Sequence, residues 1–410
     1  MIPEHYFFDT FHGKRIQLGV TGSVAAYKAL ELTRAFSRLH IQVGTTLTAS
    51  AQNFVTPLSF SALGADPLHT GLFTDGANYD HLEPGCADAF VVAPATANML
   101  AKMAHGIADD ILSCQLLAFA GPILAAPAMN PRMWGNPATQ DNVRVLLERG
   151  IRLVGPVCGT VACGDTGSGR LADLDEIFIH ALASLAPQDL AGQRIMVTLG
   201  PTREYFDKAR FWSNPSTGRM GASLAIGAAL RGAQVTAIHG PIALKLPAMI
   251  KTIPVVSARD MFTAASDLFP SQDVGCFTAA VADFRPPACD RGKFKKNAQD
   301  LTLRFESNPD ILATLSRDKA ANQQTIGFAA EAEDLVQNAT RKLDKKQLDL
   351  LVANPIDESG AGFASSTNRV FVLDRWGRQE WWPVLPKPEI AWRIWDWILL
   401  NTPSRKTTVS

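Results

Sequence analysis

The chain has 410 residues, 47% of them hydrophobic, and carries 39 basic and 39 acidic side chains. This length suits two ordinary domains, because a domain commonly contains about 100 to 200 residues. Since the formal net charge is zero, there is no overall field to attract nucleic acid or an anionic membrane surface. No segment approaches the ~18 consecutive apolar residues of a spanning helix, and the residues from Met1 to Gly13 do not resemble a signal peptide. We expect a soluble, cytoplasmic protein that binds neither nucleic acid nor membrane.

The cysteines follow neither a C-x-x-C pattern nor the spacing of a zinc site. Scattered cysteines of this kind are typical of reduced thiols in a cytosolic protein. The six cysteines are Cys86, Cys114, Cys158, Cys163, Cys276 and Cys289.

The first half alternates short apolar segments with segments of helical periodicity. It begins with a strand at Arg15 to Val20, a turn, and a helix at Val24 to Leu39. This alternation predicts an α/β domain with a parallel, doubly wound sheet. Further strands are predicted at 42–47, 89–93 and 122–126, and further helices at 97–104, 136–149 and 174–184.

A polar segment containing proline and glycine follows near Pro187, and a second series of strand, turn and helix starts after it. We therefore predict two doubly wound, Rossmann-like α/β domains, at 1–190 and 191–410. Strands of the second are predicted at 194–199, 234–239, 275–279, 325–329 and 348–353. A terminal helix at 389–400 carries three tryptophans, which we interpret as a surface that docks on the domain.

Two turns of the first half follow predicted strands and precede helices. The first is Thr21-Gly22-Ser23 and the second runs from Ala93 to Asn98. Backbone N–H groups, hydroxyls and a helix dipole at such places suit a phosphate, although the same turns occur for purely topological reasons. Both turns are expected at the carboxyl edge of one sheet, where ligands of open α/β sheets bind.

The segment Pro127-Ala128-Met129-Asn130-Pro131-Arg132-Met133-Trp134 places an amide side chain in a stiff loop after a strand. Together with Ala-Pro-Ala-Thr-Ala-Asn before it and Ala-Cys-Gly-x-x-Gly-x-Gly-Arg after it, this segment resembles the flavin-containing cysteine decarboxylases. The similarity is greatest to the phosphopantothenoylcysteine decarboxylase half of a bifunctional bacterial family. The first domain is therefore expected to have the fold of these flavoproteins.

The resemblance implies that FMN oxidises the substrate thiol to a thioaldehyde, which lets CO₂ leave, and then returns the electrons. Asn130 would hold the departing carboxylate, and His81 would act as a base near neutral pH. Cys163, in a glycine-dense segment that could close as a flap, would donate the proton that completes the reaction. Taken alone, a histidine or a cysteine of this kind is more often structural. The implied flavin contacts are Gly22, Ser23, Thr48, Ala95, Thr96 and Asn98.

The second half carries an ordered series of motifs that resembles phosphopantothenate-cysteine ligase. The series includes Ser213 to Gly221, Ala279 to Phe284, Lys293 to Lys296, Asn308 to Ile311 and Gly327 to Glu331. Isolated, each motif has an ordinary explanation as a turn or a solvated charged face. The two resemblances together cover roughly residues 14 to 375, in the order of the bifunctional family.

The ligase resemblance implies that CTP and Mg²⁺ convert 4'-phosphopantothenate into an acyl-cytidylate, from which cysteine displaces CMP. Asn214 would contact the acyl-cytidylate, and Lys293, Lys342 and Lys346 would face the triphosphate. Asp283 would lie on the nucleotide or metal side, and no metal ligands are assigned. The implied nucleotide site consists of Phe277, Thr278, Ala279, Asp283, Lys293, Pro309, Asp310, Ile311, Leu312, Phe328, Lys342 and Lys346.

Two positions depart from the family pattern. Arg219 stands where lysine is common, and Ser366 stands where aspartate is usual. Relatives of the first domain assemble as trimers or multiples of trimers, up to dodecamers, so we expect a homo-oligomer whose other partners are the small-molecule substrates.

Three other functions account for less of the sequence. A flavin decarboxylase acting on a peptide C-terminus gives no reason for the ligase motifs. A non-catalytic regulatory partner of a phosphatase gives no reason for His81, Asn130 and Cys163 together. A dehydrogenase would need a G-x-G-x-x-G turn with a ribose-binding acid, and the sequence has none after a strand.

Overall fold

The structure is a computed structural model that describes residues 2–72, 80–287, 302, 304–331, 333–355 and 365–400. The chain forms two compact units, a first domain of Met1–Pro187 and a second domain of Gln188–Ser410. Within the described ranges, every helix is too short or too polar to cross a lipid bilayer.

The first domain has a six-stranded parallel sheet and a separate antiparallel hairpin. Its strands are β1 (Arg15–Val20), β2 (Gln42–Leu47), β3 (Leu68–His69), β4 (Ala89–Ala95), β5 (Ile123–Pro127), β6 (Arg152–Leu153), β7 (Val157–Thr160) and β8 (Thr166–Arg170). Its helices are α1 (Lys28–Ser37), α2 (Pro57–Ser61), α3 (Ala97–His105), α4 (Ile111–Ala118), α5 (Pro131–Trp134), α6 (Pro137–Glu148) and α7 (Leu174–Leu185).

The strand order of this sheet is β3-β2-β1-β4-β5-β6, so the direction of winding reverses between β1 and β4. All seven residues of β4 are buried, because helices cover both faces of the sheet. Phe90 and Val92 of β4 pack with Leu100 and Leu112 in the core. The predicted doubly wound α/β fold is confirmed, and a ligand crevice is expected where the winding reverses.

The predicted helix from Val24 to Leu39 is only partly correct. Val24–Tyr27 forms a 3-10 turn, and the α-helix begins at Lys28. The Ser23 hydroxyl accepts a hydrogen bond from Ala25 N, which satisfies one N–H of this tighter first turn. The hairpin of β7 and β8, which carries Cys163 in its turn, was not predicted as strands.

The second domain repeats the same winding and extends it. Its strands are β9 (Arg194–Leu199), β10 (Arg203–Tyr205), β11 (Phe211–Ser213), β12 (Gln234–His239), β13 (Lys251–Pro254), β14 (Val274–Phe277), β15 (Phe284–Arg285), β16 (Glu306–Ser307), β17 (Gln324–Glu331), β18 (Leu350–Pro355), β19 (Thr367–Asp374) and β20 (Gln379–Pro386). Its helices are α8 (Arg219–Leu230), α9 (Ala258–Leu268), α10 (Ile311–Arg317), α11 (Leu335–Lys346) and α12 (Lys387–Leu399).

The eight strands of the large sheet are ordered β13-β12-β9-β14-β17-β18-β19-β20. The first six are parallel, and β19 and β20 are antiparallel additions at one edge. The winding reverses between β9 and β14. The edge strands β19 and β20 were not predicted, because a tight hairpin connects them instead of a helical crossover.

Helix α12 docks on the second domain through its tryptophans, as predicted. The indole of Trp395 is fully buried and donates to the backbone oxygen of Leu224 in α8 at 3.1 Å. Trp397 Nε1 donates to Asp374 Oδ2 at 2.9 Å. Buried indoles usually need such a partner, and both of these have one.

Arg231 ties α12 to the start of the domain. Its side chain is 2% exposed and makes two hydrogen bonds to Asp189, at 2.8 and 2.7 Å. A third hydrogen bond runs to Asp396 at 2.6 Å. The guanidinium also lies over the ring of Trp392, 4.9 Å from its centroid. A planar, always charged group suits this fork of partners better than lysine would.

Candidate functional sites

In the first domain, hydrogen bonds link the loops that follow β2, β1, β4 and β5. Thr48 N donates to Val20 O at 3.1 Å. Thr21 Oγ1 donates to Pro94 O at 2.7 Å and accepts from Thr96 N at 3.0 Å. After β5, Ala128 N donates to Ala95 O at 3.0 Å. These contacts hold four loops together along the carboxyl edge of the sheet, at the point where the winding reverses.

The predicted flavin contacts lie in these linked loops or in the strand and helix ends next to them. Gly22 approaches the loop after β2 so closely that a Cβ atom would lie 2.4 Å from Ser50 Cβ. The Thr96 hydroxyl accepts from Met99 N and caps α3. Hydroxyls and free backbone N–H groups at a helix start are the donors that a phosphate requires, so the residues present fit the phosphate of a flavin mononucleotide. The predicted contacts Ser23, Thr48, Ala95 and Asn98 belong to the same edge.

Asn130 and Cys163 lie together at the end of β5. Asn130 Nδ2 donates to Cys163 Sγ at 3.2 Å and to Asp165 Oδ2 at 2.7 Å. The hydrogen bond from Asn130 and the charge of Arg132 lower the pKa of Asp165. The carboxylate therefore stays ionised near neutral pH and fixes the orientation of the Asn130 amide.

The β7–β8 hairpin reaches the Asn130 loop through its own backbone. Met129 N donates to Gly169 O at 2.9 Å. A Cβ at Gly169 would lie 2.4 Å from the backbone oxygen of Met129, so only glycine allows this approach. The glycine-dense segment is thus packed on the loop whose amide it contacts.

His81 lies elsewhere in the chain. The backbone oxygen of its neighbour Asp80 accepts from Gln115 Nε2 in α4 at 3.0 Å. The structure brings Asn130 and Cys163 together through their hydrogen bond, and the role of His81 stays a prediction.

The second domain has a cavity of about 380 Å³. Loops and strand ends after β9, β14, β17 and β18 line it, so it lies at the second reversal of winding. Its volume falls within the range of small-molecule sites. The wall includes Asn214 and all the predicted nucleotide-binding residues that the structure describes. These are Phe277, Thr278, Ala279, Asp283, Pro309, Asp310, Ile311, Leu312, Phe328, Lys342 and Lys346. Lys293 lies outside the described residues.

The segment after β14 is held in place by two amide side chains. Asn214 Nδ2 donates to the backbone oxygens of Ala280 and Val281, at 3.3 and 3.2 Å. Asn308 Nδ2 donates to Ala282 O at 2.8 Å from the other side. These bonds fix the strand end whose atoms form the wall of the cavity.

Two cations of α11 pair with acids in or near the cavity. Lys342 Nζ bonds Glu331, and Lys346 Nζ bonds Asp310 at 2.8 Å. Burial opposes the ionisation of Asp310, but hydrogen bonds from Lys346 and Ala313 N outweigh it and lower the pKa of that carboxyl. The wall therefore carries lysine side chains beside polar groups, which suits an anionic ligand.

The comparison with known proteins covers both domains. The family model "Flavoprotein" matches residues 9–185, and the model "DNA/pantothenate metabolism flavoprotein C-terminal domain" matches 190–401. Each of three relatives is named "Coenzyme A biosynthesis bifunctional protein CoaBC". The relative from Vibrio vulnificus strain YJ016 is 39% identical over 88% of this chain and 92% of its own. The Bacillus subtilis relative is 39% identical over 93% of this chain and 96% of its own. The Escherichia coli K12 relative is 40% identical over 88% of this chain and 91% of its own.

The chain belongs to the bifunctional coenzyme A biosynthesis family. The similarity to these relatives extends over both domains and not over one of them alone. The resemblance inferred from the motifs is confirmed at the level of the family.

Sequence reasoning missed several polar residues of the two sites in this family member. Asp165 stood inside a quoted motif without a role, although its carboxylate holds Asn130. Lys387 follows a proline at the start of a tryptophan-rich helix, and only the folded chain brings it to the cavity. The wall also includes polar side chains that were assigned no role from the sequence, although Ser216 and Asn308 lie inside the ligase motifs. These side chains are Thr198, Ser216, Asn308, Asn354 and Asn368.

Proposed function

We propose that the two domains catalyse consecutive steps of coenzyme A biosynthesis. The second domain joins 4'-phosphopantothenate to cysteine with CTP, and the first decarboxylates the product to 4'-phosphopantetheine with FMN. Relatives named as bifunctional coenzyme A biosynthesis proteins align with 88% to 93% of the chain, which is the observation that carries both activities.

In the first domain, FMN supplies the oxidation and the later reduction that allow CO₂ to leave. Asn130 orients the substrate carboxylate through its amide, and a neutral donor avoids the strong ground-state stabilisation that a cation would give. Cys163 Sγ, 3.2 Å from the amide nitrogen, donates the final proton. His81 supplies a base.

In the second domain, the cations of the cavity stabilise negative charge on the phosphates as the carboxylate of phosphopantothenate attacks the α-phosphorus of CTP, which forms the acyl-cytidylate and releases pyrophosphate. Lys342, Lys346 and Lys293 would have this role, and Mg²⁺ accompanying the triphosphate would add positive charge. Asp283 would lie on the nucleotide or metal side. Asn214 then contacts the acyl-cytidylate while the cysteine amine displaces CMP. Phe277 and Phe328 line the nucleotide.

Two variants separate the activities. Cys163→Ser should stall decarboxylation while phosphopantothenoylcysteine still forms, as measured by mass spectrometry. Full turnover of this variant to phosphopantetheine would refute the role of Cys163.

Lys293→Gln should abolish ligation but leave the decarboxylation of supplied phosphopantothenoylcysteine. Equal loss of both activities would indicate a folding defect instead. We further propose a cytoplasmic homo-oligomer built from trimers, which sedimentation of the purified protein would test.

A further inference from the structure

Three buried polar side chains form a network between the sheet and α4 of the first domain. Gln17 of β1, Thr46 of β2 and Gln115 of α4 are each at most 2% exposed. Gln17 Nε2 donates to Thr46 Oγ1 at 2.8 Å, and Thr46 Oγ1 donates to Gln115 Oε1 at 2.5 Å. A Cβ at Gly44 would lie 2.1 Å from Gln17 Oε1, so the glycine leaves room for the amide that begins the network.

The network ends on the segment that carries His81. Gln115 Nε2 donates to the backbone oxygen of Asp80 at 3.0 Å. This oxygen belongs to the peptide unit that joins Asp80 to His81. Because a peptide unit is planar, fixing its oxygen also fixes the direction in which the chain enters His81.

His69 holds the same segment from a neighbouring strand. It lies in β3, in register with Thr46 of β2, and its side chain is buried. His69 Nε2 lies 3.3 Å from Glu83 Oε2, and Nδ1 lies 3.7 Å from Asp80 Oδ2. The segment is therefore held at the residue before His81 and at the second residue after it.

The polar network has a cost that a purely space-filling role does not explain. Amides and hydroxyls are costly to bury unless each is paired, and apolar side chains would fill this layer without that requirement. A catalytic side chain on a loop needs support from rigid elements, because a displacement of about 1 Å can slow a reaction by about a hundredfold. Two strands and a helix supply that support here.

We propose that Gln17, Thr46 and Gln115 are positioning residues that hold His81 in place for decarboxylation, with His69 as a second anchor. The inference rests on the proposed decarboxylase function and on the role of His81 in it. No sequence motif singled out these four residues.

Thr46→Val tests the network because it removes the hydroxyl and keeps the branched shape of the side chain. We expect kcat for decarboxylation of supplied phosphopantothenoylcysteine to fall about tenfold, while KM and the FMN bound per chain stay within about twofold. Thr46→Ser keeps the hydroxyl and should rescue kcat to within about threefold of wild type. Thr33→Val is the matched control, since Thr33 is also fully buried and its hydroxyl bonds Ala29 O within α1; it should change kcat less than about twofold.

A double-mutant cycle with His81→Asn separates positioning from a general loss of packing. In the His81→Asn protein, assayed at high enzyme concentration, adding Thr46→Val should change kcat less than about twofold, because the network then has no base to position. Effects of the two substitutions that multiply would overturn the inference. A His81→Asn protein with wild-type kcat would also overturn it, although the decarboxylase activity itself would stand.

Gln115→Met is a second, independent variant should Thr46→Val fail to fold, and circular dichroism together with intact ligation checks each variant. A wild-type protein that decarboxylates, with both folded variants at wild-type kcat, overturns the inference alone. A wild-type protein that binds FMN and does not decarboxylate overturns the inference together with the proposed function. A lower kcat in either variant, absent from Thr33→Val and from the His81→Asn background, supports it.

Discussion

Replacing Lys387 with methionine should stabilise the second domain at neutral pH. The pKa of this buried amine is lowered from 10.5 to about 8 by burial and by Arg219. A displacement of this size corresponds to about 3 kcal/mol of free energy that the folded protein loses by keeping Lys387 protonated. Methionine has a similar length and no charge, so it removes this cost and leaves little cavity.

The sign of the pH dependence follows from the same displacement. Because the unfolded amine holds its proton up to about pH 10.5, the cost is fully present below pH 8 and is relieved as the pH rises from about 8 to 10.5. The advantage of Lys387→Met should therefore be about 3 kcal/mol at pH 7 and about 1 kcal/mol at pH 9.5.

Denaturant unfolding followed by tryptophan fluorescence measures this difference. Seven of the eight tryptophans lie between Trp212 and Trp397, so the signal reports mainly the second domain. Lys345→Met, on an exposed lysine, should change the free energy of unfolding by less than about 0.5 kcal/mol. A Lys387→Met protein that is less stable than wild type at pH 7, or whose advantage does not shrink at pH 9.5, would refute the reasoning.

Three further substitutions test other contacts. Arg231→Met should lower the free energy of unfolding of the second domain by about 2 kcal/mol in a urea titration, because two partly exposed carboxylates lose their buried partner; an unchanged midpoint would contradict this. Gly169→Ala should slow decarboxylation about tenfold or more without affecting ligation, since its Cβ would collide with the Met129 backbone oxygen and displace the hairpin. Asp165→Asn should lower kcat for decarboxylation about tenfold by releasing the Asn130 amide, and a wild-type kcat would show that this carboxylate is dispensable.

The sequence predicted most of the regular structure because apolar periodicity and the turns between elements were clear. The cores of β1, β4, β9 and β12 lie at the predicted positions. The 3-10 turn at Val24–Tyr27 was missed because the pattern of apolar residues is the same whether the first turn of a helix is 3-10 or α. The β7–β8 hairpin was missed because its glycines give no apolar alternation.

Residues of the candidate sites could be predicted only where they belong to a recognisable sequence motif. Asn130 and Cys163 stand in separate motifs 33 positions apart, and the structure joins them by a hydrogen bond. Lys387 lies 19 positions beyond Asn368, the preceding residue of the cavity wall, and has no motif of its own, so no local pattern could reveal its burial there. Its environment is a product of tertiary packing between α8 and α12.

Incubation of the purified protein with 4'-phosphopantothenate, cysteine, CTP and Mg²⁺ tests the central claim most directly, with an absorption spectrum recorded first and products identified by mass. We predict a yellow protein that forms phosphopantothenoylcysteine and then CO₂ and 4'-phosphopantetheine. A yellow protein that forms neither product would contradict the proposed function, and a colourless protein that only ligates would contradict the FMN-dependent half of it.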